Sequence, residues 1–379
     1  MKKIAILTQP LISNYGGILQ DFALQRVLKN KNYDVVTIDR RYNGVSKSKL
    51  LLSNIKNTII NKLQLGSKRN FTSSDINYIT KNPRSFISKY ITLSEVVDLD
   101  EKMVKHFKNN AYDVVIVGSD QVWRPRYSPN IYDYFFGFLK DNSTTTKLSY
   151  AASFGVDTWE YNEEQTKEVK NLISLFDAVS VREKSAVELC KDNLDTDAQF
   201  VLDPTLLLEK EDYLKLITKK SDKSSASIFT YVLDQSESKT NIINFVQKKL
   251  GKEVRTNQPK EDQKSSSSKN LNDFAYPPIE GWIESFDQAD FIVTDSFHGT
   301  IFSIIFNKPF ITIVNSERGA ARFKSLLSLL DLEDRLIDAY DESLISEKLS
   351  LPIDYTKVDA RLKELTADSL AYLFNNIEK

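Results

Sequence analysis

Short apolar runs rich in valine and isoleucine alternate along the chain with stretches whose apolar residues recur at helical spacing. KIAILT (3–8) precedes a helical stretch from about Gly17, and DVVTID (34–39) follows it. DVVIVGS (113–119), KLSYAAS (147–153) and DAVSVRE (177–183) continue the series, the last feeding a helix through KSAVELC. Alternation of this kind predicts a mostly parallel sheet wrapped by helices. A second set begins after about Asp203: SIFTYVL (227–233), a helix through NIINFVQKKL, EVRT (253–256), DFIVTDS (290–296), a helix after His298, and PFITIV (309–314). The expected fold class is therefore α/β with two lobes.

DPTLLLEKEDY (203–213) separates the two sets. Pro204 ends a strand and the acidic residues open a helix, which places the hinge nearby. The expected lobes are 1–205 and 206–355, with 356–379 a C-terminal helix able to pack back on the first lobe. KKSDKSSAS and KEDQKSSSSKN are polar, serine-rich and aperiodic, and read as mobile loops of the second lobe.

A length of 379 residues suits two lobes, since a single core rarely grows beyond about 250 residues. The 51 basic residues are balanced by 52 acidic ones, so no global field favours a nucleic-acid partner. The lone cysteine, Cys190, has no intrachain disulfide partner and sits on the predicted buried face of a helix. Ile4–Leu7 is too short for a secretory core, and Asp295, His298 and Lys308 interrupt the most apolar region. The expected location is the cytoplasm.

Local charge is less even. Residues 40–94 hold eleven Lys and Arg against one acid, Asp75. Within them Leu51, Leu52, Ile55, Ile59, Ile60 and Leu63 recur at near-helical spacing among Lys49, Lys56, Lys62 and Lys68. Two readings stand: an ordinary helix burying its apolar face against the first lobe, or a basic amphipathic helix lying on an anionic membrane.

In open parallel sheets, ligands gather where strand ends lead into helix N-termini. SNYGGILQDFALQ, GSDQVWRP and DSFHGTIFS occupy such places. Asn14, Tyr15, Gly16 and Gly17 form a glycine turn with room for an anion or a sugar, or simply a tight turn. Asp120, beside Gln121, suits a general base or a sugar-hydroxyl partner, with helix capping as the structural alternative. Trp123 suits stacking on a pyranose. His298 opens a helix among Asp295, Ser296 and Gly299, where it is able to bind phosphate or pass a proton. Arg182, Arg318 and Arg322 are candidate anion clamps, each with a neighbouring acid as its alternative partner. His106 reads as a surface or packing residue. No nucleophile elbow surrounds Ser296, and two histidines with one cysteine give no zinc-ligand spacing.

Taken together, NYGGILQDFAL, GSDQVW, SVREKSA, DPTLLL, DSFHGTIFSIIFNKPFI and the arginine-rich turn before a leucine-rich helix resemble the polysaccharide pyruvyl transferase family from KIAILT to about Arg335. The resemblance implies two Rossmann-like lobes of glycosyltransferase B type with a cleft between them. It implies phosphoenolpyruvate as donor, a sugar of a lipid-linked glycan precursor as acceptor, and no further cofactor or metal. Donor binding then falls on Arg182 and His298, supported by Ser296, Gly299, Arg318 and Arg322. His298, Asp120 and Asp295 become the catalytic candidates, and Asn14, Tyr15, Gly16, Gly17, Gln121 and Trp123 the acceptor side. Many relatives carry arginine where this chain has Ser296, so either Arg318 or Arg322 supplies that charge or the donor differs. A nucleotide-sugar glycosyltransferase and a non-catalytic glycan-binding protein are the alternatives on the same scaffold.

Overall fold

β1 (Lys3–Leu7), α1 (Tyr15–Asn30) and β2 (Asp34–Arg40) open the first lobe in the computed structural model, which describes all residues except 43–46, 63–68, 219–226, 264–267 and 316–318. The excluded residues contain all but Ser227 of the first serine-rich loop and 264–267 of the second, together with Arg318, Leu63 and Lys68. Three helices, α2 (Lys47–Lys62), α3 (Ser73–Ile79) and α4 (Lys81–Tyr90), precede β3 (Leu93–Val97). α5 (Asp100–Asn109), β4 (Val114–Val117), β5 (Thr146–Ser149), α6 (Glu163–Ile173), β6 (Ser180–Val181), α7 (Lys184–Leu194) and β7 (Gln199–Phe200) follow.

The first sheet runs β3-β2-β1-β4-β5, all parallel. Bridges from Leu148 to Ala178 and from Ala152 to Val181 carry the β6–β7 pair beyond β5. That is the strand order of dinucleotide-binding folds, with its switch point between β1 and β4. Every residue of β4 is buried because both faces of a parallel sheet are covered.

The second lobe contains α8 (Lys210–Leu214), β8 (Ser227–Tyr231), α9 (Glu237–Leu250), β9 (Glu253–Thr256), α10 (Ile279–Gln288), β10 (Phe291–Thr294) and α11 (Phe297–Ile305). β11 (Phe310–Ile313), α12 (Ala321–Leu329), β12 (Leu336–Ile337), α13 (Glu342–Ser350) and α14 (Tyr355–Ile377) complete the chain. Its parallel sheet runs β12-β11-β10-β8-β9, which puts the switch point between β8 and β10.

One apolar cluster joins the lobes, from Ile18, Leu19 and Phe22 of α1 to Trp282, Phe302 and Leu373. α14 spans them: Tyr355 Oη donates to the Lys308 carbonyl, and Tyr372 Oη donates to the Ser149 carbonyl at 3.0 Å. Among the described residues no helix is long and apolar enough to cross a membrane. Cys190 is buried on α7. His106 is a packing residue, its Nδ1 2.7 Å from Glu95 Oε1 and its Nε2 2.9 Å from Tyr112 Oη.

One core carboxylate works against the fold. Asp21 on α1 accepts from Thr37 Oγ1 at 2.6 Å, and burial pushes it up to about 7, opposed by Thr37 and Lys29. A raised carboxyl holds its proton in the folded chain while the unfolded chain ionises near pH 4, so stability falls as pH rises from about 4 to about 7. Asp21→Asn is therefore expected to gain on the order of 2 kcal/mol at pH 8 and nothing at pH 4. Thermal melts at the two pH values check this, and equal melting at pH 8 would contradict it.

Candidate functional site

The loops after β1, β4, β8 and β10 meet at one cleft of about 730 Å³, so the switch points of the two sheets face each other. Gln9, Asn14, Asp120 and Gln121 line it from the first lobe; Tyr231, Gln258, Ser296, His298 and Arg322 line it from the second.

α1 opens the first wall. Tyr15 Oη donates to the Pro277 carbonyl, and its ring meets Tyr276 and Trp282 edge-on at 6.3 and 6.0 Å. Tyr15 is thus a tie between lobes. At Gly16 a Cβ would fall 2.0 Å from His298 Nδ1, so only glycine lets that ring lie against α1. At Gly17 a Cβ would meet Asp120 Oδ2 at 3.1 Å. Asn14 Nδ2 donates to that same Asp120 oxygen at 3.1 Å.

Asp120 holds φ +64°, a left-handed conformation that aspartate tolerates better than most residues. Its Oδ1 accepts from the Gln121 amide at 2.9 Å, while its side chain reaches the cleft wall. Gln121 Oε1 accepts from Arg124 at 3.1 Å. Trp123 is fully buried, stacked on Phe135 at 5.1 Å, with Nε1 donating to the Tyr134 carbonyl at 2.9 Å. It has no face for a sugar: its apolar ring is turned back into the core, which corrects its assignment to the acceptor side.

On the second wall, Ser296 caps α11, its Oγ accepting from the Gly299 amide at 3.3 Å. A Cβ on Gly299 would fall 2.1 Å from Thr294 Oγ1, so this glycine serves the close packing of α11 on β10. His298 therefore leaves the first turn of a tightly seated helix. Its Nε2 lies 3.7 Å from Asp203 Oδ2, an ion-pairing distance beyond hydrogen-bond reach. Asp295 is fully buried, accepting from the Leu233 and Asp234 amides at 2.6 and 3.2 Å and from Lys239 Nζ at 2.6 Å. Those bonds fix the loop after β8, so Asp295 positions that loop at the cleft.

Arg182 stands behind this wall, outside the cleft lining. It meets Asp203 at 2.8 Å, Glu183 at 3.3 Å and Asp120 at 3.5 Å, all buried. With its donors engaged by three carboxylates, it ties Asp120, Glu183 and Asp203 together from outside the cleft lining, where a donor clamp was expected. Burial raises Glu183 against the pull of Arg182. Burial would also raise Asp203, but His298, Arg182 and Thr205 hold it well below the ordinary carboxylate range. Arg322, on α12, does line the cleft; burial and the charge of Arg182 push it down to about 10. The guanidinium carbons of Arg182 and Arg322 lie 5.1 and 5.3 Å from the Phe297 ring centre. Arg318 lies outside the described residues.

A family model described as polysaccharide pyruvyl transferase matches residues 14–317, from the α1 entry through the His298 helix to the turn before α12. The chain belongs to the polysaccharide pyruvyl transferase family. No curated protein matches it significantly by sequence. Among solved structures it is similar to a glycosyltransferase of kitacinnamycin, with TM-score 0.54 and 12% identity over 99% of each chain. It is also similar to UDP-GlcNAc 2-epimerase from Methanocaldococcus jannaschii, with TM-score 0.51 and 13% identity over 93% of each chain. The S. aureus MnaA–UDP complex gives TM-score 0.51 and 12% identity over 100% of this chain and 98% of that one. These likenesses establish the two-lobed glycosyltransferase-B-like fold of this pyruvyl transferase family member.

Sequence reasoning missed Asp203 as a site residue. It accepts from Gln20 Nε2, from Arg182 and from both the amide and hydroxyl of Thr205, at 3.1 and 2.7 Å for the latter pair. The signal was an aspartate before proline at a strand end, which also reads as a hinge.

Proposed function

We propose that the protein transfers pyruvate from phosphoenolpyruvate to a sugar of a surface-polysaccharide precursor, forming a cyclic ketal. The observation that carries this reading is that His298 and Arg322 enter the same cleft from the second lobe while Asp120 lines it from the first. Ketal formation needs that set: a proton carrier, a cation and a hydroxyl-orienting carboxylate.

The methylene carbon of phosphoenolpyruvate takes a proton and becomes a methyl group, leaving positive charge at C2. One sugar hydroxyl bonds to C2, the C2–O bond to phosphate breaks, and a second hydroxyl closes the ring. Of the two hydroxyl protons released, one balances the proton taken up at the methylene carbon and the other leaves with inorganic phosphate. His298 handles the proton at the methylene carbon and Asp120 orients a hydroxyl and receives its proton. Arg322 takes the donor's phosphate or carboxylate. A guanidinium already disfavoured by burial and by Arg182 gains most from an incoming anion. It therefore fills the place of the arginine that relatives carry at the position of Ser296. Because phosphoenolpyruvate is a cytoplasmic metabolite, transfer takes place inside the cell.

The test is incubation with phosphoenolpyruvate and sugar-diol acceptors. Release of inorganic phosphate together with a pyruvyl mass gain on the acceptor is expected. Release of nucleoside diphosphate from a nucleotide sugar instead would replace this reading with glycosyl transfer. Arg322→Ala is expected to raise the donor KM about ten- to a hundredfold, the loss of one charge-assisted contact. An unchanged donor KM would remove Arg322 from the donor site.

A further inference from the structure

Among its described side chains, α2 holds a polar stripe against the protein and leaves Leu51, Leu52 and Ile55 outward. Asn54, Asn57 and Asn61, spaced three and four residues apart, share one helix face. Asn54 Oδ1 accepts from the Ser73 amide at 3.0 Å, and Asn57 Nδ2 donates to the Phe71 carbonyl at 3.0 Å. Asn61 exchanges two bonds with the Asn70 backbone, at 2.6 and 3.0 Å. The strap they hold is tied to the body of the protein: Phe71 meets Phe274 edge-on at 5.0 Å, and Arg69 donates to the Lys269 carbonyl at 2.9 Å.

Turned away from that stripe, Leu51, Leu52 and Ile55 are 61%, 66% and 48% exposed. An ordinary surface helix would put these side chains into the core and its asparagines in water. The sequence around α2 is basic. Between β2 and β3 it carries ten of the eleven lysines and arginines counted above, Arg40 being buried in β2 against Asp133, and the one acid, Asp75, is itself paired with Arg69 at 2.9 Å. Lys56 is exposed one turn beyond Leu52, and Lys81, Arg84 and Lys89 are exposed on α4.

We infer that α2 docks the protein on an anionic lipid bilayer, with Leu51, Leu52 and Ile55 entering the outer acyl region and the basic side chains meeting the headgroups. A bilayer offers apolar depth and negative charge together, which is the complement of this surface. A second copy of the chain would bring the same positive excursion against itself in a two-fold contact. A nucleic acid has no apolar layer for the leucines. The inference rests on this helix alone and makes no use of the transfer chemistry, so binding is read without turnover.

The experiment is vesicle flotation of the full chain with phosphatidylglycerol–phosphatidylcholine vesicles and with phosphatidylcholine alone. Binding to the first and not the second is expected, weakened by salt. Lys56→Glu should weaken it about thirtyfold, two charges at roughly 1 kcal/mol each. Leu51→Ser, Leu52→Ser and Ile55→Ser combined should weaken it at least about a hundredfold, with the melting temperature unchanged because all three side chains are exposed. A Leu52→Trp reporter should shift its emission to the blue on anionic vesicles. Absence of binding to anionic vesicles at low salt would overturn the inference, as would full binding by the triple variant. A solution dimer abolished by the triple variant without vesicle binding would assign the face to a second copy, and a lowered melting temperature of that variant would show the face to be buried.

Discussion

Replacing His298 by glutamine is expected to cut pyruvyl transfer by about a hundred- to ten-thousandfold while the protein stays folded, the range for removing a positioned acid or base. His298 is the one imidazole in the cleft, and the other histidine of the sequence is committed to Glu95 and Tyr112. Glutamine keeps much of the volume that fills the gap against Gly16, so the substitution removes proton transfer with little change in packing. The informative readout is the split between kcat and donor KM. Loss confined to kcat assigns His298 to proton transfer, whereas a raised donor KM with kcat preserved would make it a binding residue only. Turnover within threefold of the unaltered protein would remove His298 from the chemistry.

The alternation of VVIV, SIFTY, FIVT and FITI with helical segments made both sheets legible, because strands buried on both faces have few compositional choices. Strand-end loops gave the cleft for the same reason: parallel sheets put them at one edge. What stayed hidden depends on long-range partners. Arg182 reads as an anion clamp or as a partner of its neighbour Glu183 until Asp120 and Asp203, 62 and 21 residues away, are folded onto it. Trp123 follows a polar turn, yet nothing local says that its ring turns inward. The leucines of α2 read most naturally as core, and the asparagine stripe that reverses the helix has meaning only once the 70–73 backbone lies beside it.

The largest effect on stability is expected at Asp203, where Asp203→Asn should lower the unfolding free energy by about 3–5 kcal/mol at neutral pH, the range for breaking a buried ion pair from one side. The carboxylate is almost wholly buried, 2.8 Å from Arg182, with Thr205 and Gln20 donating to it. Asparagine keeps the shape but turns an acceptor into a donor facing the guanidinium, and Arg182 is left with the longer contacts to Glu183 and Asp120 at 3.3 and 3.5 Å. The pH dependence has a definite sign. His298, Arg182 and Thr205 hold Asp203 below its unfolded value, so its contribution is complete above about pH 4 and is lost as pH falls below it. Urea unfolding at pH 7 and again below pH 4 should show the gap between the unaltered protein and Asp203→Asn narrowing in acid. Adding Arg182→Met to Asp203→Asn should cost less than the sum of the two single changes, since the second change removes the charge that the first left without its closest partner. Strict additivity, or equal urea midpoints at pH 7, would show that the carboxylate cluster does not hold Arg182 in place.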